Sequence, residues 1–361
     1  MWAVSLSNPN PLAVIFGCSG LVLTETERDF FARTNPLGFI LFQRNCDTPD
    51  QVRQLVKDLK NSLNRQEAPV LIDQEGGRVA RLKSPHWPTF PPARAYADLY
   101  ARDPDAGVEA ARIGGQLIAL ELFDLGITVD CAPVLDIPQS GADPIIGDRA
   151  FGYDLGTIVT LAESFLRGLA LGGVDGVIKH IPGHGRALVD SHLHLPTVDV
   201  DKKVLQEVDF APFKALSSAP WGMTAHVIYS AFDAHNPATT SAVMIQEVIR
   251  ATLGFQGLLL SDDLSMKALS GRLQDRAKAC LKAGCDVVLH CNGKMDEMKH
   301  VAKGTDLMTK DAFLRFSDNE TRRVAGKQDQ DRDQDRDQDR DQGRDQLWGR
   351  FETLLGALVS P

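Results

Sequence analysis

The chain has 361 residues, 43% hydrophobic and 24% charged, with a formal net charge of −9. That balance describes a soluble globular protein with ample core, and it leaves no basic face for a nucleic acid and no polybasic patch for anionic lipid. No apolar run reaches the length of a membrane span, and the opening MWAVSLSNPNPLAVIFGCSG lacks the Lys or Arg of a secretory leader, so a cytoplasmic protein is expected.

Eight short apolar runs then recur along the chain. They are LAVIFGC (12–18), LGFILFQ (37–43), PVLIDQE (69–75), ITVDCAPVLDI (127–137), GVIKHIPG (176–183), WGMTAHVIYS (221–230), GLLLSDD (257–263) and CDVVLHCN (285–292). Near-continuous apolar runs suit strands buried on both faces, as in a parallel sheet. Helical patterns separate them. Thr48, Pro49, Asp50 and Gln51 form a capping box with Pro at the first helical position, followed by the stripe Val52, Leu55, Val56 and Leu59. A second helix spans about 105–125, with Gly126 as its stop. Alternation alone also fits a doubly wound sheet. The count of eight, and polar residues closing nearly every run at its C-terminal edge, favour a single (β/α)8 TIM barrel over residues 1–325. Residues 327–346, KQDQDRDQDRDQDRDQGRDQ, hold no apolar side chain and are expected to be disordered or a solvated helix. Residues 347–361 read as a C-terminal helix. The six cysteines at 18, 46, 131, 280, 285 and 291 form no C-x-x-C pair and read as free thiols.

Chemistry gathers at the ends of these runs. Asp262 follows its strand directly, where packing does not call for an acid, and points into a barrel mouth; Asp263 suits a helix cap. Asp73 and Glu75 end the third run, Gly76 and Gly77 turn it, and Arg78 and Arg81 follow. This pattern fits a hydroxyl-binding Asp steadied by an Arg. Arg149 stands in the loop after the fourth run. Lys179 and His180 end the fifth, where VIKHIPGHGRALVDSHLHLP packs four of the nine histidines into one stretch. Pro182, Gly183 and Gly185 force an irregular turn there, so His180 and His184 are not an i,i+4 helical pair. His192 and His194 lie further along the loop. Two readings stand: metal ligands brought together by loop geometry, or a loop for sugar binding and proton transfer. For the second, Asp190 lies two residues before His192 and can accept its ring N–H.

Taken in order, DQEGGRVARL (73–82), GDRAFG (147–152), KHIPGHGRALVDSH (179–192), TAHVIYS (224–230) and SDDLSM (261–266) closely resemble the bacterial β-N-acetylglucosaminidases of glycoside hydrolase family 3. Those are cytoplasmic enzymes of peptidoglycan recycling. The resemblance covers about residues 10–325. It implies an exo-acting, retaining hydrolase that removes terminal β-linked N-acetylglucosamine from 1,6-anhydro-N-acetylmuramic acid muropeptides, as a monomer whose partner is the saccharide, without metal or organic cofactor. It further implies Asp262 as nucleophile, His192 as acid/base with Asp190 as its dyad partner, and Asp73, Arg81, Arg149, Lys179 and His180 as holders of the terminal sugar. Ile181 stands where the family has Phe, and the Asp/Gln/Arg repeat is foreign to it. A metal-dependent barrel hydrolase, a non-catalytic sugar-binding protein and a broader β-glycosidase are the competing expectations.

Overall fold

The computed structural model describes residues 10–333 and 337–358, without the side chains of 327–342 and 357. Each of the eight apolar runs supplies one strand: β1 (Leu12–Gly17), β2 (Pro36–Leu41), β3 (Val70–Ile72), β4 (Val129–Asp130), β5 (Asp175–Ile181), β6 (Trp221–Thr224), β7 (Leu258–Asp263) and β8 (Val287–His290). All neighbours are parallel, and β1 pairs with both β2 and β8, so the sheet closes as a TIM barrel. The register between β1 and β8 sets Val14 against Val288 and Phe16 against His290.

Side-chain alternation divides the core in two. Ala13, Ile15, Leu258, Leu260, Val287 and Leu289 fill the barrel, whereas Val14, Phe16, Leu259 and Val288 pack outward under the helices. Met308, Ala312 and Phe316 join the interior cluster. They close the end where the strands begin, since the Met308 N–H bonds the Pro11 carbonyl ahead of β1. The opposite rim, where the strands end, is left for polar chemistry.

Several expected strands come out shorter, two of them most of all. The 127–137 run leaves the ladder after Asp130, where the Ala132 N–H turns back onto the Asp130 carbonyl at 2.8 Å, and Pro133 has no N–H with which to resume it; Val134 returns only as a single bridge to Lys179. The 221–230 run ends at Thr224, and Ile228–Tyr229 instead pairs with Thr197–Val198 as a separate ribbon. That ribbon anchors the far end of the histidine-rich loop. Helix Pro49–Leu63 carries only half of its expected capping box: the Thr48 hydroxyl accepts the Gln51 N–H at 3.3 Å, while the Gln51 side chain takes the Asp47 N–H at 2.9 Å in place of that of Thr48. Helix Pro104–Asp124 ends as expected, with Gly126 at φ +78°.

The repeat is helical at 327–333 and 337–346; residues 334–336 within it, and 359–361 of the expected C-terminal helix, lie outside the described residues. Beyond the repeat, Trp348, Phe351 and Leu355 are buried, Phe351 with ring centroids 6.3 Å from both Phe90 and Tyr96. Arg350 fastens the same segment to Glu109 with bonds of 2.9 and 2.5 Å. Phe351→Ala should therefore cost about 3–5 kcal/mol, read as a lower urea midpoint, with activity per folded molecule retained. Among the described residues no helix is long and apolar enough to cross a membrane.

Candidate active site

The residues singled out at strand ends meet at one rim. Lys179 and His180 close β5, Asp262 closes β7, Asp73 and Glu75 follow β3, and Arg149 stands in the loop beyond β4. Gly76 and Gly77 turn the chain after β3 at φ +90° and +55°, conformations that favour glycine.

A buried charge network lines the wall from β3 to β5. Lys179 Nζ lies 2.9 Å from Asp73 Oδ1 and 2.7 Å from Glu75 Oε1. Arg149 grips Glu75 with two bonds of 2.8 Å, and Arg81 Nη2 reaches Asp73 Oδ2 at 2.9 Å. Burial by itself would raise both carboxyls. Lys179 and Arg81 more than offset it and hold Asp73 far below the usual carboxylate range, and Arg149 with Lys179 brings Glu75 down to about 2. The carboxylates return the effect: against burial, they push Lys179 and Arg149 above their ordinary values. Three cations thus face two anions. Arg81 Nε is buried with no partner among the described residues, which leaves a donor for an incoming hydroxyl. The Arg81 guanidinium also stacks 5.2 Å over the Phe42 ring, and Arg44 stacks on the same ring at 5.0 Å. Lys179→Ala would leave two carboxylates buried without their shared cation; an unfolding free energy lower by about 3–5 kcal/mol is expected from denaturant titration.

The opening of the histidine-rich loop hangs on a residue that the sequence reading passed over. Asp136 is fully buried and accepts the His184 N–H at 2.6 Å, the His180 N–H at 3.3 Å and the His180 ring at Nδ1, 2.7 Å away. Burial works against its charge, and His180 in particular outweighs that and keeps the carboxyl low. The contact fixes the His180 ring through Nδ1 and leaves Nε2 as its remaining nitrogen. His184 is buried too. Burial drives its pKa down to about 4, so the ring is neutral, and its Nε2 lies 3.0 Å from Ser191 Oγ.

Asp190 and His192 form a closed pair. One carboxylate oxygen, Oδ1, accepts the His192 backbone N–H at 2.8 Å and faces ring Nδ1 at 2.7 Å. These contacts overcome burial and hold Asp190 below its ordinary value. The His192 ring is otherwise open, with 59% of its side chain exposed. Its carbonyl accepts the Lys267 N–H at 3.2 Å, which brings this loop onto the turn that follows Asp262. Asp262 is half-buried; burial would raise it, but His226, His180 and His192 together hold it below the usual range, so it is ionised at neutral pH. Asp263 does not cap a helix. Its carboxylate accepts the Ser265 N–H at 3.0 Å and the Cys291 N–H at 3.2 Å, and so shapes the turn after β7. His226 stands behind it, with Nδ1 2.7 Å from Thr239 Oγ1 and Nε2 3.1 Å from the Asp263 carbonyl.

His194 is exposed and meets this site only through its backbone, whose N–H bonds the Asp190 carbonyl at 3.0 Å. Among the described residues no three His, Cys, Asp or Glu side chains are grouped to hold a metal ion, and the six cysteines are free. The eight residues expected from sequence fall into a charge wall (Asp73, Arg81, Arg149, Lys179), a histidine held by Asp136 (His180), an acid at the end of β7 (Asp262) and an acid–histidine pair (Asp190, His192). The arrangement offers hydroxyl donors and acceptors, an ionised carboxylate, and an imidazole able to give or take a proton.

A closed parallel barrel with an ionised acid at its rim and an acid–histidine pair on the neighbouring loop is the equipment of a glycoside-cleaving enzyme. Comparison with known proteins narrows this. The family model described as glycosyl hydrolase family 3 N terminal domain matches residues 20–323. A β-hexosaminidase of Alkalilimnicola ehrlichii is 40% identical over 283 residues, covering 77% of this chain and 80% of the relative. The structure of NagZ from Neisseria gonorrhoeae in complex with N-trifluoroacetyl-D-glucosamine superposes with a TM-score of 0.79 at 32% identity, covering 86% of this chain and 89% of the other. Native NagZ from the same organism gives a TM-score of 0.82 at 29% identity over 98% of this chain and 99% of the other. The chain belongs to glycosyl hydrolase family 3, and it is an enzyme of the β-N-acetylhexosaminidase type.

Proposed function

We propose that the protein is an exo-acting, retaining β-N-acetylglucosaminidase that removes the terminal sugar from 1,6-anhydro-N-acetylmuramic acid muropeptides in the cytoplasm, within peptidoglycan recycling. The observation that carries the reading is the bond from Lys267 N–H to the His192 carbonyl, which holds a carboxylate-steadied imidazole over the loop of the ionised Asp262. In the first step an Asp262 oxygen attacks the anomeric carbon. The bond from that carbon to the aglycone oxygen breaks as His192 gives this oxygen a proton. In the second, His192 takes a proton from water, the water oxygen attacks the same carbon, and the bond to Asp262 breaks, which restores the carboxylate and the protonated ring. Two inversions retain the β configuration. Asp73, Arg81, Lys179 and His180 hold the sugar hydroxyls. Arg149, drawn onto Glu75, serves through its remaining N–H groups and by fixing the network.

One imidazole can both give and take a proton, which suits a site where Asp262 is the nucleophile and no second carboxylic acid is assigned the acid role. The ligand in the Neisseria complex supports an N-acetylglucosamine-like sugar here. The test is hydrolysis of 4-nitrophenyl N-acetyl-β-glucosaminide with and without EDTA, with the first-formed anomer followed by NMR and with 4-nitrophenyl β-glucoside alongside. Chelator-resistant release of the β anomer, with the glucoside a poor substrate, is expected. First-formed α anomer would refute double displacement, loss of activity to EDTA would revive the histidine cluster as a metal site, and equal glucoside turnover would make this a broader β-glycosidase. Release of N-acetylglucosamine from the anhydromuramyl disaccharide tests the cell-wall substrate.

A further inference from the structure

Between Ala187 and Pro196 the chain carries the Asp190–His192 pair and shows Leu188, Leu193, His194 and Leu195 to solvent. The segment is held at its ends by the Asp143 N–H on the Ala187 carbonyl at 2.8 Å and the Ile228 N–H on the Pro196 carbonyl at 2.9 Å; among the described residues, 188–195 are tied to the rest of the chain by two further hydrogen bonds. One is the backbone bond from Lys267 N–H to the His192 carbonyl. The other is made by a side chain: Ser191 Oγ, 3.0 Å from His184 Nε2. Ser191 is only 4% exposed and lies between the two members of the pair.

His184 is placed to transmit position. Its backbone N–H is held at 2.6 Å by Asp136, the carboxylate that also fixes the backbone and ring of His180. The two rings meet edge to face, with centroids 5.7 Å apart. A ring serving the core alone has no need of a hydroxyl on an exposed loop, and the His184 Nδ1 is left buried without a partner among the described residues, a cost that packing does not explain. One rigid hub, Asp136, therefore connects the ring facing the sugar to the segment bearing the proton donor.

We infer that His184 and Ser191 are positioning residues that set His192 over the leaving-group oxygen with reference to the sugar held by His180. The inference rests on the acid/base reading of His192. A donor displaced by a fraction of an ångström transfers its proton poorly, and the loss grows with how much the leaving group needs that proton.

The test is kcat/KM for wild type, Ser191→Ala, Ser191→Thr and His192→Ala on aryl N-acetyl-β-glucosaminides graded from 2,4-dinitrophenyl to phenyl, with thermal midpoints measured in parallel. Ser191→Ala should raise the ratio of dinitrophenyl to phenyl reactivity by about tenfold, the worth of one well-placed hydrogen bond. Ser191→Thr, which keeps the hydroxyl, should bring the ratio back toward that of wild type. An unchanged ratio in Ser191→Ala, while His192→Ala raises it steeply, overturns the inference and leaves the proposed mechanism standing. An unchanged ratio in His192→Ala removes the acid role itself. A ratio raised equally in Ser191→Ala and Ser191→Thr would trace the effect to loop packing and refute the hydroxyl's part.

Discussion

Asp262→Asn should lower kcat by at least about 10⁴-fold while the folded protein still binds N-acetylglucosamine. The amide matches the carboxylate in shape, and its oxygen can keep the 2.7 Å bond from the Asp263 N–H, so the turn after β7 has no reason to move. What the amide lacks is the negative charge that makes the oxygen a nucleophile, which the proposed glycosyl-enzyme requires. The surroundings of Asp262 suit that role: His226, His180 and His192 outweigh its burial and hold it below the usual carboxylate range, so its protonation should not limit turnover at neutral pH. Turnover by stopped assay and sugar binding by calorimetry check the two halves separately. Asp262→Ala adds a chemical check, because the vacated space admits azide, and a single displacement by azide yields the α-glycosyl azide. Residual wild-type turnover within tenfold in the Asn variant would mean that another group forms the intermediate.

The same carboxylate illustrates what a sequence can reveal. An acid that follows three buried leucines and a buried serine has no packing reason to be there, so Asp262 stands out without any structure. The eight strands are legible on related grounds, since strands covered on both faces are apolar throughout. Their lengths were less so. The 127–137 run looks continuous because its apolar residues continue past Pro133, but the ladder already ends at Asp130.

The residues that escaped are those defined by a partner far along the chain. Asp136 lies 44 residues before His180 and 48 before His184. Its one local sign was a carboxylate within the apolar stretch APVLDI. Glu75 was visible at the end of β3, but its grip by Arg149, 74 residues on, was not. Phe42 reads as one more strand residue until Arg44 and Arg81 are found against its ring. Ser191 was hidden by its own neighbours, since Asp190 and His192 account for the motif without it. Periodicity identifies which face a residue occupies. It carries no information about which loop from another strand will close over it.

His192→Ala should separate the two chemical steps. For an unactivated aglycone such as the anhydromuramyl sugar, bond cleavage without a proton donor leaves an alkoxide, and kcat/KM should fall by about 10²–10⁴-fold. For a dinitrophenyl glycoside the departing oxygen needs no proton, so kcat/KM, which reports glycosylation, should change little. Its kcat should still fall, because the same ring must take a proton from water in the second step, and the glycosyl-enzyme should then accumulate as a burst. Azide needs no base and should restore kcat on this substrate alone. The pattern depends on one imidazole acting twice, as donor and then as acceptor, with Asp190 fixing Nδ1 so that Nε2 faces the reaction in both steps. Asp190→Asn should reproduce a weaker form of it, since an amide can hold the ring in place but cannot stabilise its positive charge. Equal losses in kcat/KM for both leaving groups in His192→Ala would place the proton elsewhere and reduce the pair to a structural clasp.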